Sequence, residues 1–372
     1  MNFDYTEEQQ QLADSVQKYL ANTYSFEQRK AIIQSDAGIS EPAWQAFAEM
    51  GLTAICLPEA DGGFGGGAAD LMAVMEAFGD ALVVEPLLDN VALAGRLVAK
   101  LGNDAQRAAL LPGLIDGSLR LAFAGLESGQ RYDLAPHGTT AQLTAEGWVL
   151  NGAKCVVIGA TVAHKLVVPA RTAAGVSLFL VDANASGVQL NPCLTVDGMR
   201  AADVTLAQVR VSRDALIGTD GNALAAIEEA ADFATALLCA DAIGAMKSAN
   251  DATLDYMKQR KQFGVPIASF QVLQHRMVEM YICTEQARSM AILAAAKVDS
   301  GCSAQERAKA ISAAKIKIAD AARQVSQESV QLHGGMGMTE ELKVSHTFRR
   351  LTMIAQRFGD ADHHLERYAA LT

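Results

Sequence analysis

The chain has 372 residues, half of them hydrophobic, and a net charge of −11 with only 20% charged residues. That length and apolarity suffice for a sizeable core in two or three domains or one multilayer unit, and they argue against disorder. The acidic balance offers no basic footprint for nucleic acid or an anionic membrane, so an anionic ligand would have to be held by local positive groups.

Cysteine usage and the N-terminal segment point the same way. Cys56, Cys155, Cys193, Cys239, Cys283 and Cys302 are scattered without CxxC spacing, which suggests neither a zinc site nor a disulfide framework and fits a reducing cytosol. The N-terminal segment is acidic, without a basic region followed by an apolar core. No apolar, charge-free stretch of about twenty residues occurs either, so secretion and membrane anchoring are disfavoured and a cytoplasmic location is expected.

In chain order, Thr6-Glu-Glu-Gln9 has capping-box spacing ahead of Leu12, Val16 and Leu20, which recur at helical intervals. A second helix is expected over 42–50. The glycine-rich segment Gly51 to Gly67 follows. No Lys-Ser/Thr pair follows it and no βαβ alternation flanks it, so it does not read as a phosphate loop. Helical patterns resume over 68–82, 89–100 and 104–111.

Texture changes near Leu121. Short apolar runs at 121–124, 148–150, 165–168, 176–181 and 204–206 alternate with Gly, Asn, Asp and Ser turns, as in a β-domain of roughly a hundred residues. Asn151-Gly152 is a two-residue hairpin signal. From Asn222 onward three long helical runs are expected, over 223–259, 269–297 and 303–330. The third opens on the capping box Ser303-Ala-Gln-Glu306, and abundant alanine with few β-branched residues permits bundle-like packing.

Between the first two of these runs lies Arg260-Lys-Gln-Phe-Gly-Val-Pro-Ile-Ala-Ser-Phe-Gln271. Gly264 and Pro266 break the chain there and put Arg260 at a tight bend between helices, where a guanidinium can grip a phosphate with two N–H groups. The end of the third run, Gln331-Leu-His-Gly-Gly-Met-Gly-Met-Thr-Glu340, carries glycines that stop the helix and let backbone approach a ligand. Read singly, Arg260 is an ordinary helix C-cap and Gly334-Gly335 an ordinary helix stop.

Taken together, these motifs resemble the acyl-CoA dehydrogenase family over nearly the whole chain. The glycine-rich segment after Gly51 and the run Trp148-Val-Leu-Asn-Gly-Ala-Lys154 support the resemblance. It implies an α+β multidomain fold: an N-terminal helical domain (1–120), a middle β-barrel-like domain (121–221) and a C-terminal four-helix bundle (222–372). It also implies FAD, α,β-dehydrogenation of an acyl-CoA thioester, and electron-transfer flavoprotein as electron acceptor. By the same resemblance Arg260, Phe263, Gln271, Gln331, Leu332, Gly334 and Gly335 contact the diphosphate and adenine end of a FAD whose ring lies in a neighbouring subunit.

The ring-facing half departs from the family pattern. In place of a Leu-Thr-Glu-Pro-x-Ala-Gly-Ser-Asp loop stands Leu126-Glu-Ser-Gly-Gln-Arg-Tyr-Asp133, and in place of Trp-Ile-Thr stands Val156-Val-Ile158. The catalytic glutamate position falls on Phe358, and the alternative base position of another branch falls on Ala234 and Thr235. Asp360 is the weak substitute; the ordinary reading of Asp360 and Asp362 beside His363 and His364 is a polar helix N-terminus, not a base or metal site. Glu228 and Glu229 read as exposed helix charges.

Such asymmetry is expected of a subunit that completes a FAD site shared with a homologous dehydrogenase in a heterotetramer. The ending Phe358-Gly-Asp-Ala-Asp-His-His-Leu365 resembles the smaller subunit of heteromeric enzymes acting on steroid side-chain or dicarboxylic acyl-CoA. A homo-oligomer with a non-standard base and a silent structural partner are the alternatives.

Overall fold

The structure is a computed structural model that describes residues 5–371. The chain divides into two compact units. One is built from the chain up to Lys30, from Ala68–Val83 and from Thr235 onward; the other holds Ala31–Gly67 and Val84–Ala234.

The N-terminal third is helical: α1 Glu7–Thr23, α2 Phe26–Gln34, α3 Glu41–Glu49, α4 Ala68–Ala81, α5 Arg96–Leu101 and α6 Asp104–Ile115. Thr6 and Gln9 cap α1 reciprocally, and α1 buries Ala13, Val16 and Leu20, as its spacing predicts. The helical pattern expected over 89–100 is in fact two pieces, a π-helical segment Leu88–Gly95 and then α5. Helix α6 runs past Pro112 to Ile115, further than the expected stop at Leu111.

The eight-stranded sheet of the second unit comprises β1 Leu121–Phe123, β2 Thr140–Leu143, β3 Trp148–Ile158, β4 Lys165–Arg171, β5 Val176–Asp182, β6 Val188–Leu194, β7 Arg200–Val211 and β8 Leu216–Ile217. Its order is β6-β7-β3-β2-β4-β5-β8, with β1 added parallel to β4. Alternate residues such as Leu150, Val168, Val181 and Leu206 point to one buried core, where the Trp148 and Phe179 rings meet edge-on at 5.1 Å.

The hairpin expected at Asn151-Gly152 is not there. Both residues lie inside β3, and the turn between β2 and β3 is Thr144 to Gly147, closed by the Thr144 N–H donating to the Gly147 carbonyl at 2.7 Å. Asn151-Gly152 instead faces a bulge in β7. Asn151 Oδ1 accepts from the backbone N–H of Gln208, which stands at φ 55, and a Cβ on Gly152 would sit 2.6 Å from Thr139 Cα. The glycine serves close strand approach rather than a turn.

The C-terminal helices are α7 Leu224–Gln259, α8 Gln271–Asp299, α9 Ala304–His333, α10 Lys343–Gln356 and α11 Ala361–Ala370. Helix α9 packs against α8, α10 and α11, which makes it the centre of the bundle. It extends three residues beyond the expected end at Val330. Helices α4 and α7 cross almost backbone to backbone: a Cβ on Gly244 would lie 1.8 Å from the Glu76 carbonyl oxygen, and one on Gly79 would lie 1.9 Å from that of Asp241. Asp241 and Arg350 form a buried ion pair within this unit.

Candidate functional site

Helix α7 ends where Arg260 donates its backbone N–H to the Tyr256 carbonyl at 2.8 Å. The chain then makes a small hairpin, β9 Lys261–Gln262 against β10 Val265–Pro266. Phe263 at φ 53 and Gly264 at φ 83 form its two-residue tip, and Ile267 N–H closes the base on the Arg260 carbonyl at 2.8 Å. Two consecutive positive φ values are what a tight hairpin requires. Arg260 therefore stands at the root of a hairpin, with its direction fixed from both sides.

Helix α9 supplies the facing wall. At its end Gly334 adopts φ 62 and ψ −145, a conformation side-chain-bearing residues rarely reach. In front of Gly334 and Gly335 a Cβ would meet nothing within 4 Å, so the backbone there lies open to a ligand. Two contacts align the ends of α7 and α9. The Thr253 and Ser329 hydroxyls meet at 2.7 Å, and about one turn on the Tyr256 and His333 rings stack with centroids 4.4 Å apart.

The result is a cavity of about 400 Å³ to which Arg260, Gln262, Gln331, Leu332, Gly334 and Gly335 contribute. Among the described residues the Arg260 guanidinium has no hydrogen-bond or ion-pair partner. An unpaired guanidinium sharing a cavity with open glycine backbone is a donor set that suits an anionic diphosphate. Five of the seven residues expected at the cofactor thus converge: Arg260, Gln331, Leu332, Gly334 and Gly335. Phe263 does not line the cavity; it is 91% exposed at the hairpin tip. Nor does Gln271, which is exposed in the first turn of α8. Of the other lining residues, Gln262 and Ile267 belong to the Arg260–Gln271 stretch, whereas Tyr256 in α7 carries no motif and only the fold brings it in.

The loop after β1 closes on itself. Glu127 accepts from the backbone N–H groups of His137 (2.9 Å), Gly138 (2.6 Å) and Thr139 (3.1 Å), and from Lys154 Nζ (2.8 Å). Burial works to raise the Glu127 carboxyl, but the Gly138 N–H, Lys154 and Thr139 outweigh it and hold the group near 2. The Gln130 amide donates to the carbonyls of Asp133 and Ala135, and Arg171 donates to those of Pro136 and His137. Val156, in the stretch that replaces Trp-Ile-Thr, stands at φ 48 and donates its N–H to Asp203 Oδ1.

The corner between α10 and α11 carries Phe358 at φ 58. Buried Lys315 donates to the carbonyls of Ala355 (3.1 Å) and Gly359 (2.6 Å), while His364 lies 3.1 Å from the Phe358 carbonyl and 3.2 Å from Ser312 Oγ. Burial pushes Lys315 down to about 8 and His364 down to about 3. Asp360 is the N-cap of α11, its carboxylate accepting from His363 N–H at 2.8 Å. Ala234 and Thr235 are buried in α7, and Glu229 pairs with Lys100 and Arg96. Among the described residues no group of three or more His, Cys, Asp or Glu side chains is arranged to hold a metal ion.

The chain matches the N-terminal domain of acyl-CoA dehydrogenase over residues 6–118, the middle domain over 122–211 and the C-terminal domain over 221–370. It belongs to the acyl-CoA dehydrogenase family. Acyl-CoA dehydrogenase FadE12 of Mycobacterium tuberculosis is 32% identical over 367 residues, which cover 95% of this chain and 93% of that one. A solved structure of a variant of the Tcur3481-Tcur3483 steroid ACAD is 32% identical, covers 98% of this chain and 97% of that one, and has a TM-score of 0.89. The ChsE4-ChsE5 complex from Mycobacterium tuberculosis superposes with a TM-score of 0.90 over 100% of this chain and 98% of that one; at 24% identity it bears on the fold alone. Among the described residues, no helix of this family member is long and apolar enough to cross a membrane.

Proposed function

We propose that this acyl-CoA dehydrogenase chain is a subunit whose Arg260 cavity holds the diphosphate of FAD and completes a site shared with a homologous subunit that supplies the catalytic carboxylate. The observation that carries this reading is the contrast between an unpaired Arg260 facing open glycine backbone and a Phe358 standing where the family's base is expected. Bound FAD supplies the hydride acceptor for α,β-dehydrogenation of an acyl-CoA thioester, and electron-transfer flavoprotein is the onward acceptor.

Within this reading Arg260 donates its forked N–H groups to phosphate oxygens, and Gly334 and Gly335 allow close backbone approach. Gln331 and Leu332 line the same cavity, and Phe263 and Gln271, outside it, are left to meet the adenine end. Phe358 cannot remove a proton from the substrate Cα, so that step falls to the partner subunit. The Glu127 carboxylate is taken up by its own loop and Lys154, which supports a flavin ring pocket in the partner rather than in this chain. Likeness to a steroid ACAD supports a bulky acyl group such as a steroid side chain. The division into 1–120, 121–221 and 222–372 belongs to the same reading.

The test is native mass and flavin quantification on the chain alone and after co-expression with an adjacent dehydrogenase-like reading frame. Little flavin alone and about one FAD per unlike pair is the expected result. One tightly bound FAD per chain in a homo-oligomer would overturn the divided site.

A further inference from the structure

Besides Arg260 and Tyr256, His333 is the titratable side chain that lines the cavity among the described residues, and the family resemblance gives it no role. It is 5% exposed and ends α9 immediately before Gly334. Its Nδ1 lies 2.8 Å from the Ser329 carbonyl oxygen, and a carbonyl only accepts, so Nδ1 carries the hydrogen. Tyr256 covers one face of the ring at 4.4 Å. Burial lowers the His333 pKa, against the raising effect of the Ser329 bond, and keeps the imidazole neutral. What remains is Nε2, a lone pair with no partner among the described residues, on a ring that is held by the Nδ1 bond and the Tyr256 stack and lines the cavity beside Arg260 and Gly334.

The cavity therefore pairs two opposite functions: a cation that takes an anion and a neutral acceptor that takes a donor. In a dinucleotide the donors nearest the diphosphate are the hydroxyls of the sugar units that flank it. We infer that His333 is a cofactor-binding residue whose Nε2 accepts a hydrogen bond from a sugar hydroxyl next to the diphosphate that Arg260 grips. This rests on the FAD reading and deepens it. The hydroxyl belongs either to the ribose of the ADP half or to the ribityl chain of the FMN half. A neutral acceptor also explains why a second cation is not used here. Arg260 already answers the charge, and a lone pair adds selection for a sugar phosphate over a bare anion.

The experiment uses the full-length chain co-expressed with the homologous subunit, the assembly in which the divided site is expected to hold FAD. Dissociation constants of FAD, ADP, FMN and inorganic pyrophosphate are measured for wild type, His333→Phe, His333→Gln and Arg260→Ala. Phenylalanine keeps the stack on Tyr256 but has no acceptor; glutamine places an amide oxygen near the Nε2 position. The expected result is a loss of about three- to tenfold for FAD in H333F, as one neutral hydrogen bond predicts, largely restored in H333Q. The loss appears with ADP if the hydroxyl is the ribosyl one and with FMN if it is the ribityl one, and pyrophosphate binding is unchanged in H333F. Equal weakening of pyrophosphate and FAD in H333F would reduce His333 to a prop for the anion grip and overturn the inference. So would H333F binding all four ligands like wild type while R260A weakens them. Failure of wild type to bind FAD, ADP or FMN in an Arg260-dependent way would instead remove the FAD reading itself, and this inference with it.

Discussion

Truncating Arg260 separates cofactor binding from folding. Its guanidinium has no partner among the described residues, so Arg260→Ala leaves no buried group unsatisfied, and stability should stay within about 0.5 kcal/mol of wild type. The bound diphosphate, by contrast, loses a forked pair of charge-assisted hydrogen bonds. Each contributes about 1.5–3 kcal/mol when covered. Arg260 lies at an exposed rim, which calls for the lower end. We therefore expect a loss of about 3 kcal/mol for the pair, or roughly 150-fold weaker FAD binding. Arg260→Lys keeps the charge but not the fork and should fall between. The assay is titration of flavin-stripped protein with FAD by fluorescence, with thermal unfolding of the same samples in parallel. Flavin affinity within about threefold of wild type in R260A would refute the diphosphate grip and favour a partner that makes no cofactor contact.

Four further outcomes follow from the packing and the buried charges. Gly244→Ala puts a carbon 1.8 Å from the Glu76 carbonyl oxygen, where about 3.3 Å is the closest comfortable approach, so α4 and α7 must part. Urea unfolding should show a loss of at least about 2 kcal/mol, and an unchanged midpoint would show that the crossing yields easily. Glu127 is held near 2, below its ordinary 4.5, so its stabilisation is complete above pH 4.5 and disappears as pH falls toward 2; Glu127→Gln should flatten that acid limb, and an unaltered limb would contradict the role. Lys315, lowered from 10.5 to about 8, behaves in the same sense: stability should rise as pH climbs from about 8 toward 10.5, and Lys315→Met should abolish the rise in midpoint measurements. Asp360→Asn keeps a capping oxygen for α11, so turnover of the assembled enzyme should stay within about twofold, whereas a loss beyond about a hundredfold would make Asp360 the base.

Much of the fold is legible locally because its signals act over a few residues. The capping boxes at Thr6 and Ser303 do start helices, and Gly334 ends α9 through a dihedral that needs no distant neighbour. The alternation of short apolar runs after Leu121 gives the sheet its buried face. Asn151-Gly152 shows where such reasoning stops. A pair that suits a turn was recruited into a strand because Thr139 and the bulge at Gln208 press against it, and neither is near in sequence. The same limit applies to Lys315, whose charge sits under the carbonyls of a corner it meets only in the folded bundle.

The sequence by itself determined the residue types of the site: a forked cation after one helix, glycines after another, and no carboxylate at 358. Tertiary structure decided which of those residues meet. Arg260, Gln331, Leu332, Gly334 and Gly335 converge because Thr253 meets Ser329 and Tyr256 stacks on His333, while Phe263 and Gln271 stay outside at the hairpin tip and the start of α8. The reason is that a cap or a turn is satisfied by its own backbone within one turn of helix, whereas a cavity exists only where two distant helix ends are held in register by contacts that no local pattern encodes.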